Sequence, residues 1–254
     1  DLWIIFVPWH FPRQLDQTIS GVSDSAEQEF KKKYPTIYNH LLKYKEKLSK
    51  RNQAETGIRY EWYALQRWAA SYYKEFEKPK IIYPEISQGA KFSFDPKGYF
   101  LQNTCYLISS DDWFLLGYLN STLLWFHLFG VCTNLRGGEW RLRLLGQFLE
   151  NIPIPEATDT QKTVIADLAQ RCQETAEARY QIQDAVRRRI PDLCPVGREP
   201  KLSTKLTDWW TLDFTAFRAE IKKCFKAEIP LAKRNAWDAW LAAERAKVAE
   251  LSRT

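Results

Sequence analysis

Apolar and polar positions divide the chain into two stretches of different texture. Near the start, "LWIIFVPW" is an unbroken apolar run that predicts a buried strand closed by Pro8, and the polar stretch from Ser20 to Gln28 reads as a loop. From Pro35, a residue suited to a first helical turn, "PTIYNHLLKYKEKLSKR" sets Tyr38, Leu41, Leu42 and Leu48 on one helical face and lysines on the other. "KIIYPEI", residues 80 to 86, predicts a strand, with Pro84 at an edge or an end because proline cannot donate to a ladder. "KFSFDPKGYFLQNTCYLI" has two alternating segments around a DPKG turn, the pattern of a β-hairpin or meander. A helix is expected from about Trp113 to Gly130. Next, "NLRGGEWRLRLLGQFLENIPIP" turns at a glycine pair into an alternating segment with Trp140, Leu142 and Leu144 on one side and Arg141 and Arg143 on the other. Its prolines, which fix φ and cannot extend a ladder, stiffen the exit.

Beyond Pro155 the period becomes helical. Val164, Ile165, Leu168, Cys172 and Ala176 mark one face of a helix reaching towards Arg189, and "PDLCPVGREP" is a linker. Asp213 is placed to cap a second helix with Phe214, Phe217, Ile221 and Phe225 inward, and Trp237, Leu241, Val248 and Leu251 define a third. The expected fold class is α+β: a mixed or antiparallel sheet with packed helices over residues 1–158, then a helical region over 159–254.

Charge narrows the partners. A net charge of +6 and a pI near 9.0 favour an anionic partner, nucleic acid first. The longest apolar run is interrupted by Gly117, Asn120, Ser121, Thr122 and His127, short of the roughly 20 apolar residues of a membrane span. With no signal-peptide pattern at the start, a cytoplasmic protein without a membrane partner is expected. The five cysteines are scattered and never form a CxxC pair, so neither a disulfide framework nor a zinc site is indicated. The chain begins with Asp1 and has no methionine. It is expected to be a piece of a longer polypeptide, or one whose methionines were dropped as a modified residue.

Candidate chemistry is defined first by what is missing. There is no GxGxxG, no P-loop and no Pro-Pro dipeptide, so the short proline-rich catalytic motif of amino-methyltransferases is absent. His10, His40 and His127 are isolated, and His127 reads as a satisfied core residue. Glu75, Glu77 and Asp95 near Lys78 and Lys80 have poor order and spacing for a metal-dependent phosphodiesterase. No catalytic residue, metal or cofactor is expected here. What remains is basic and amide side chains among aromatics: Arg136, Arg141, Arg143, Lys91, Lys97, Gln102 and Asn103, assigned to one sheet region, with Lys80 as a further DNA-binding candidate. Arginine can hold a guanine edge with two hydrogen bonds, Asn or Gln an adenine edge, and lysines phosphates. The same residues also serve as ordinary solvated surface.

Four stretches in order, "RYEWYALQRW", "EFEKPKIIYPEIS", "FDPKGYFLQNTCYLI" with "LLGYLNSTLLWF", and "RGGEWRLRLLGQFLENIPIP", resemble the C-terminal target-recognition domain of Taq-type adenine-N6 DNA methyltransferases, most like type IIG restriction-modification enzymes. The tail, "LSTKLTDWWTLDFTAFRAEIKK" with "IPLAKRNAWDAWLAAERAKV", is similar to the helical end of such proteins. The resemblance implies a non-catalytic domain that grips double-stranded DNA and selects the site. A methyltransferase domain of the same parent chain would bind S-adenosylmethionine and flip the adenine, and a nuclease domain of that chain is a further partner the resemblance allows. On that reading Gly137 and Gly138 make a tight turn and Arg141 and Arg143 face the DNA. Two other readings stay open: a protein-interaction module whose tryptophan-rich helices dock a partner, and a phosphodiesterase using Glu75, Glu77 and Asp95.

Overall fold

A computed structural model describes residues 3–135 and 140–253. The chain forms two compact units, one of residues 1–82 with 95–110 and one of residues 83–94 with 111–254.

In the first unit three helices follow the N-terminal segment: α1 (Asp24–Lys33), α2 (Pro35–Leu42) and α3 (Lys45–Lys50). The polar stretch expected to be a loop starts a helix instead. Ser23 accepts a hydrogen bond from the Ala26 N–H as N-cap, and acidic residues fill the first turn, where the helix dipole favours them. Only Ala26 and Phe30 of α1 are buried, too sparse a stripe to be read as a period. Phe30 sits within a ring cluster of Phe11, Tyr34, Tyr38 and Tyr63. The single helix expected from Pro35 breaks at residues 43–44 into α2 and α3, which leaves Leu42 exposed.

The N-terminal apolar run is not a strand. Trp3, Ile4 and Ile5 are exposed, and the segment enters the core at Val7. It is pinned to residues 61–65 by polar contacts. The Leu65 N–H donates to the Val7 carbonyl, and the Trp9 indole donates to the Leu65 carbonyl. The fully buried Glu61 carboxylate accepts from the His10 N–H and, at 2.9 Å, bonds His10 Nδ1, and it accepts from the Ser23 N–H as well. A buried carboxylate is tolerated because its lone pairs are filled in this way.

Four strands follow: β1 (Lys80–Pro84), β2 (Ile86–Ser87), β3 (Ser93–Asp95) and β4 (Cys105–Ile108). The DPKG turn forms as expected. Asp95 accepts from the Lys97 and Tyr99 N–H groups, and Gly98 has φ +77, where a Cβ would lie 3.0 Å from the Glu77 carbonyl oxygen. The hairpin does not form. The sheet order is β3-β1-β4, so the two segments flank β1 rather than pair with each other.

The second unit adds α4 (Trp113–Leu119), α5 (Thr122–Val131), β5 (Thr133–Leu135), β6 (Arg141–Arg143), α6 (Gly146–Leu149), α7 (Asp159–Arg189), α8 (Thr204–Thr207), α9 (Phe214–Phe225) and α10 (Leu231–Leu251). The helix expected over 113–130 is two, bent by 61°, because Ser121 accepts from the Leu124 N–H and starts a new helix. No single helix among the described residues is long and apolar enough to cross a membrane.

Helices α4 and α7 pack closely at Gly117, where an added Cβ would fall 2.6 Å from Ile165 Cγ2. Two amides close the exposed edge of residues 92–94. Asn120 bonds both the N–H and the carbonyl of Phe92, and Gln173 bonds both those of Phe94. Each amide thereby occupies a place a neighbouring strand would take.

Towards the C-terminus, Asp213 caps α9 as expected, and Phe217, Ile221 and Phe225 join Trp209, Leu241 and Val248 in one core. The tryptophans of this region are used internally. Trp209 is 1% exposed and donates to the Gln183 carbonyl, and Trp237 stacks on Phe217.

Candidate nucleic-acid interface

The alternating segment after the glycine pair becomes the centre of a second small sheet, ordered β2-β6-β5 and antiparallel throughout. Arg143 is opposite Ile86 on one side and Thr133 on the other, while Leu142 is opposite Ser87 and Asn134. Opposed residues of a pleated ladder share a face. One face therefore carries Leu142, Ser87 and Asn134; it is the inner one over β6 and β2, where Leu142 and Ser87 are at 0% and 3% exposure, while Asn134 on the β5 edge is exposed. The other carries Arg141, Arg143, Leu135, Thr133 and Ile86, and is open: Ile86, Thr133 and Arg143 are exposed. Because the side-chain period of a strand is two, burying Leu142 and Leu144 forces both arginines outward.

The two arginines differ in their surroundings. Arg143 donates from Nε to Glu85 Oε1 at 2.7 Å, with side-chain exposures of 49% and 19%. The Leu144 N–H donates to the Glu85 carbonyl, continuing the pairing of β6 towards residue 85. Arg141 is half-buried, and its Nε is buried without an acceptor among the described residues. At the sheet's end an exposed Trp140 ring sits 6.2 Å from Phe129 of α5. Asn134 donates to the Phe129 and Cys132 carbonyls, which spends its amide donors on the chain reversal. Arg136 and the glycine pair, residues 137 and 138, lie outside the described residues.

The remaining candidates separate. Lys91 is exposed and belongs to the same unit as Arg141 and Arg143. Lys97, Gln102 and Asn103 are exposed but belong to the first unit and to loops beside the other sheet, so the single sheet region expected is two. Gln102 and Asn103 border a cavity of about 800 Å³ walled by Phe6, Trp68, Tyr72 and Phe100.

Lys80 requires correction. Its ammonium is 0% exposed, 2.5 Å from Asp95 Oδ2 and 2.6 Å from the Phe76 carbonyl, so its charge is consumed inside the first unit and is not presented to a phosphate. Alternation in "KPKIIYP" does not distinguish a buried lysine from an exposed one, and the partner is 15 residues away.

The same pair removes Asp95 from any metal-binding role. Glu75 bonds Lys78, and that bond holds its carboxyl below the usual carboxylate range. Among the described residues no group of three or more His, Cys, Asp or Glu could hold a metal. Sequence reasoning missed Glu85. It stands between Pro84 and β2, but its contact with Arg143 spans 58 residues and leaves no local signal.

Comparison with known proteins places these elements. Residues 158–254 match a family model described only as a domain of unknown function (DUF8810). The chain is 30% identical over 148 residues to the type II methyltransferase M.MjaIV of Methanocaldococcus jannaschii, a match covering 56% of this chain and 48% of that one. It is 27% identical over 139 residues to the type II methyltransferase M.BanIII of Aneurinibacillus aneurinilyticus, covering 52% of this chain and 23% of that one. The chain thus spans about half the length of the first relative and under a quarter of the second. Residues 28–154, which hold both sheets and the two outward arginines, match the TaqI-like C-terminal specificity domain, and the chain belongs to that family.

Proposed function

We propose that this chain is the DNA sequence-recognition part of a restriction-modification adenine-N6 methyltransferase of the type IIG kind. It binds duplex DNA and positions a target adenine for a methyltransferase region of the same parent polypeptide. That region would hold S-adenosylmethionine and accept the flipped base, and a nuclease region of the parent is a further expected partner. The observation that carries the reading is the open face of the β2-β6-β5 sheet. Its inner face is sealed by Leu142 and Ser87, so Arg143 projects from the ladder with Ile86 and Thr133 beside it, and the half-buried Arg141 lies on the same face. Arginine forks presented from such a face are the donors that a guanine edge accepts in the major groove, where each base pair shows a distinct donor and acceptor pattern. Lys91, in the same unit, would add a phosphate contact, and Lys97, Gln102 and Asn103 remain candidates for DNA contact on the first unit by itself.

The test is charge reversal. Arg141→Glu with Arg143→Glu is expected to abolish retention of duplex DNA in a gel-shift titration while the circular dichroism spectrum stays unchanged. Unaltered retention by the folded double variant would remove this sheet from the DNA surface.

A further inference from the structure

Resting on the DNA-recognition reading, the geometry points to Glu85 as a positioning residue that makes Arg143 a reader of guanine rather than an anchor for phosphate. Two features of the pair lead there. The first is how the carboxylate is held. Glu85 follows Pro84, whose φ is fixed, and precedes the β2 ladder, and its carbonyl accepts from the Leu144 N–H. Its side chain is 19% exposed and binds Arg143 through Nε at 2.7 Å, and the Arg143 side chain as a whole stays half-exposed. Among the described residues neither Nη group of Arg143 has a hydrogen-bond acceptor. A guanidinium fixed at Nε keeps its plane and offers its terminal fork of two N–H groups, the arrangement that meets the O6 and N7 acceptors of guanine.

The second feature is charge. A phosphate contact rewards net positive charge and tolerates a mobile side chain, whereas the Glu85–Arg143 pair is close to neutral and fixed in direction. Neutralisation weakens the attraction for phosphate. It leaves the pattern of donors intact, and that pattern is what a base edge reads. Arg141 has no such carboxylate in the described residues and keeps its full charge for the backbone.

The whole chain, as wild type, Arg143→Ala, Glu85→Ala and Glu85→Gln, is selected against a pool of random-sequence duplexes, and the affinity for unselected duplex is measured across a salt series. Wild type is expected to enrich a site containing a guanine whose preference falls about tenfold, the scale of one bidentate pair, in Arg143→Ala. Glu85→Ala is expected to lose the same preference while binding unselected duplex more tightly, with a salt slope steeper by about one phosphate contact. Glu85→Gln, whose amide oxygen still accepts from Nε, should retain part of the guanine preference, an outcome that a merely structural role for Glu85 does not produce. Guanine enrichment that survives Glu85→Ala, or an equal fall in affinity for every sequence, overturns the inference and leaves the DNA reading standing. If wild type fails to bind duplex at low salt, the DNA reading itself fails, and the inference with it.

Discussion

Replacing Lys80 by methionine preserves most of the side-chain volume but deletes an ammonium that sits at 0% exposure against an Asp95 carboxylate at 1%. Asp95 would keep the Lys97 and Tyr99 N–H donors and remain charged and buried with no counter-ion. Removing one partner of a buried pair costs about 3–5 kcal/mol, against a total stability of about 5–15 kcal/mol for a typical folded chain. Lys80→Met should therefore lower the urea midpoint by about 1–2 M at a slope of about 3 kcal/mol per molar. Replacing both partners, Lys80→Met with Asp95→Leu, removes the stranded charge but also the carboxylate that holds the DPKG turn. It is expected to recover part of the loss, so the two changes are non-additive. The assay is equilibrium unfolding followed by tryptophan fluorescence. A loss under about 1 kcal/mol for Lys80→Met, the range of exposed pairs, would refute the claim that this lysine is spent in the interior. The salt dependence of DNA binding by folded Lys80→Met should match wild type, because a buried ammonium meets no phosphate.

Three further outcomes follow from particular contacts. Gly117→Ala puts a Cβ into Ile165 Cγ2 and should destabilise by about 1–3 kcal/mol in thermal unfolding; Ile165→Leu, which lacks Cγ2, should soften that cost in the double variant. Thr158 caps α7 in a reciprocal box with Gln161, so Thr158→Ala should cost about 1 kcal/mol in the same assay. Burial and its bond to Glu27 push the Tyr38 phenol up to about 12, and burial raises Tyr63 as well. A phenol raised on folding contributes stability that is full below its unfolded value near 10 and is lost as pH rises through the folded value. Stability should fall between about pH 10 and 12, and Tyr38→Phe should make that fall shallower in urea titrations at each pH.

What was legible in the sequence was mainly periodic. The α9 helix and its Asp213 cap, the length of α7 and the outward pair of Arg141 and Arg143 all come from spacing, because burying one face of a helix or strand fixes the other. The misreadings have physical causes. "LWIIFVPW" is as apolar as a strand, yet its first residues are exposed, since the segment is held by side-chain and carbonyl bonds to residues 61–65 rather than by a ladder. The DPKG turn was visible locally, but the strand between its two arms comes from residues 80–84. Lys80 and Glu85 have roles set by partners 15 and 58 residues away, and no local pattern encodes such a distance.

The most direct test of DNA recognition by this chain is fluorescence anisotropy with a labelled duplex across a salt series, wild type beside Arg141→Ala/Arg143→Ala. Affinity should fall steeply with salt in wild type, and the double variant should bind at least about tenfold more weakly, with a slope shallower by about 0.9, the loss of one phosphate contact. Equal affinity and equal slope in two folded proteins would contradict the assignment of the open β2-β6-β5 face to DNA.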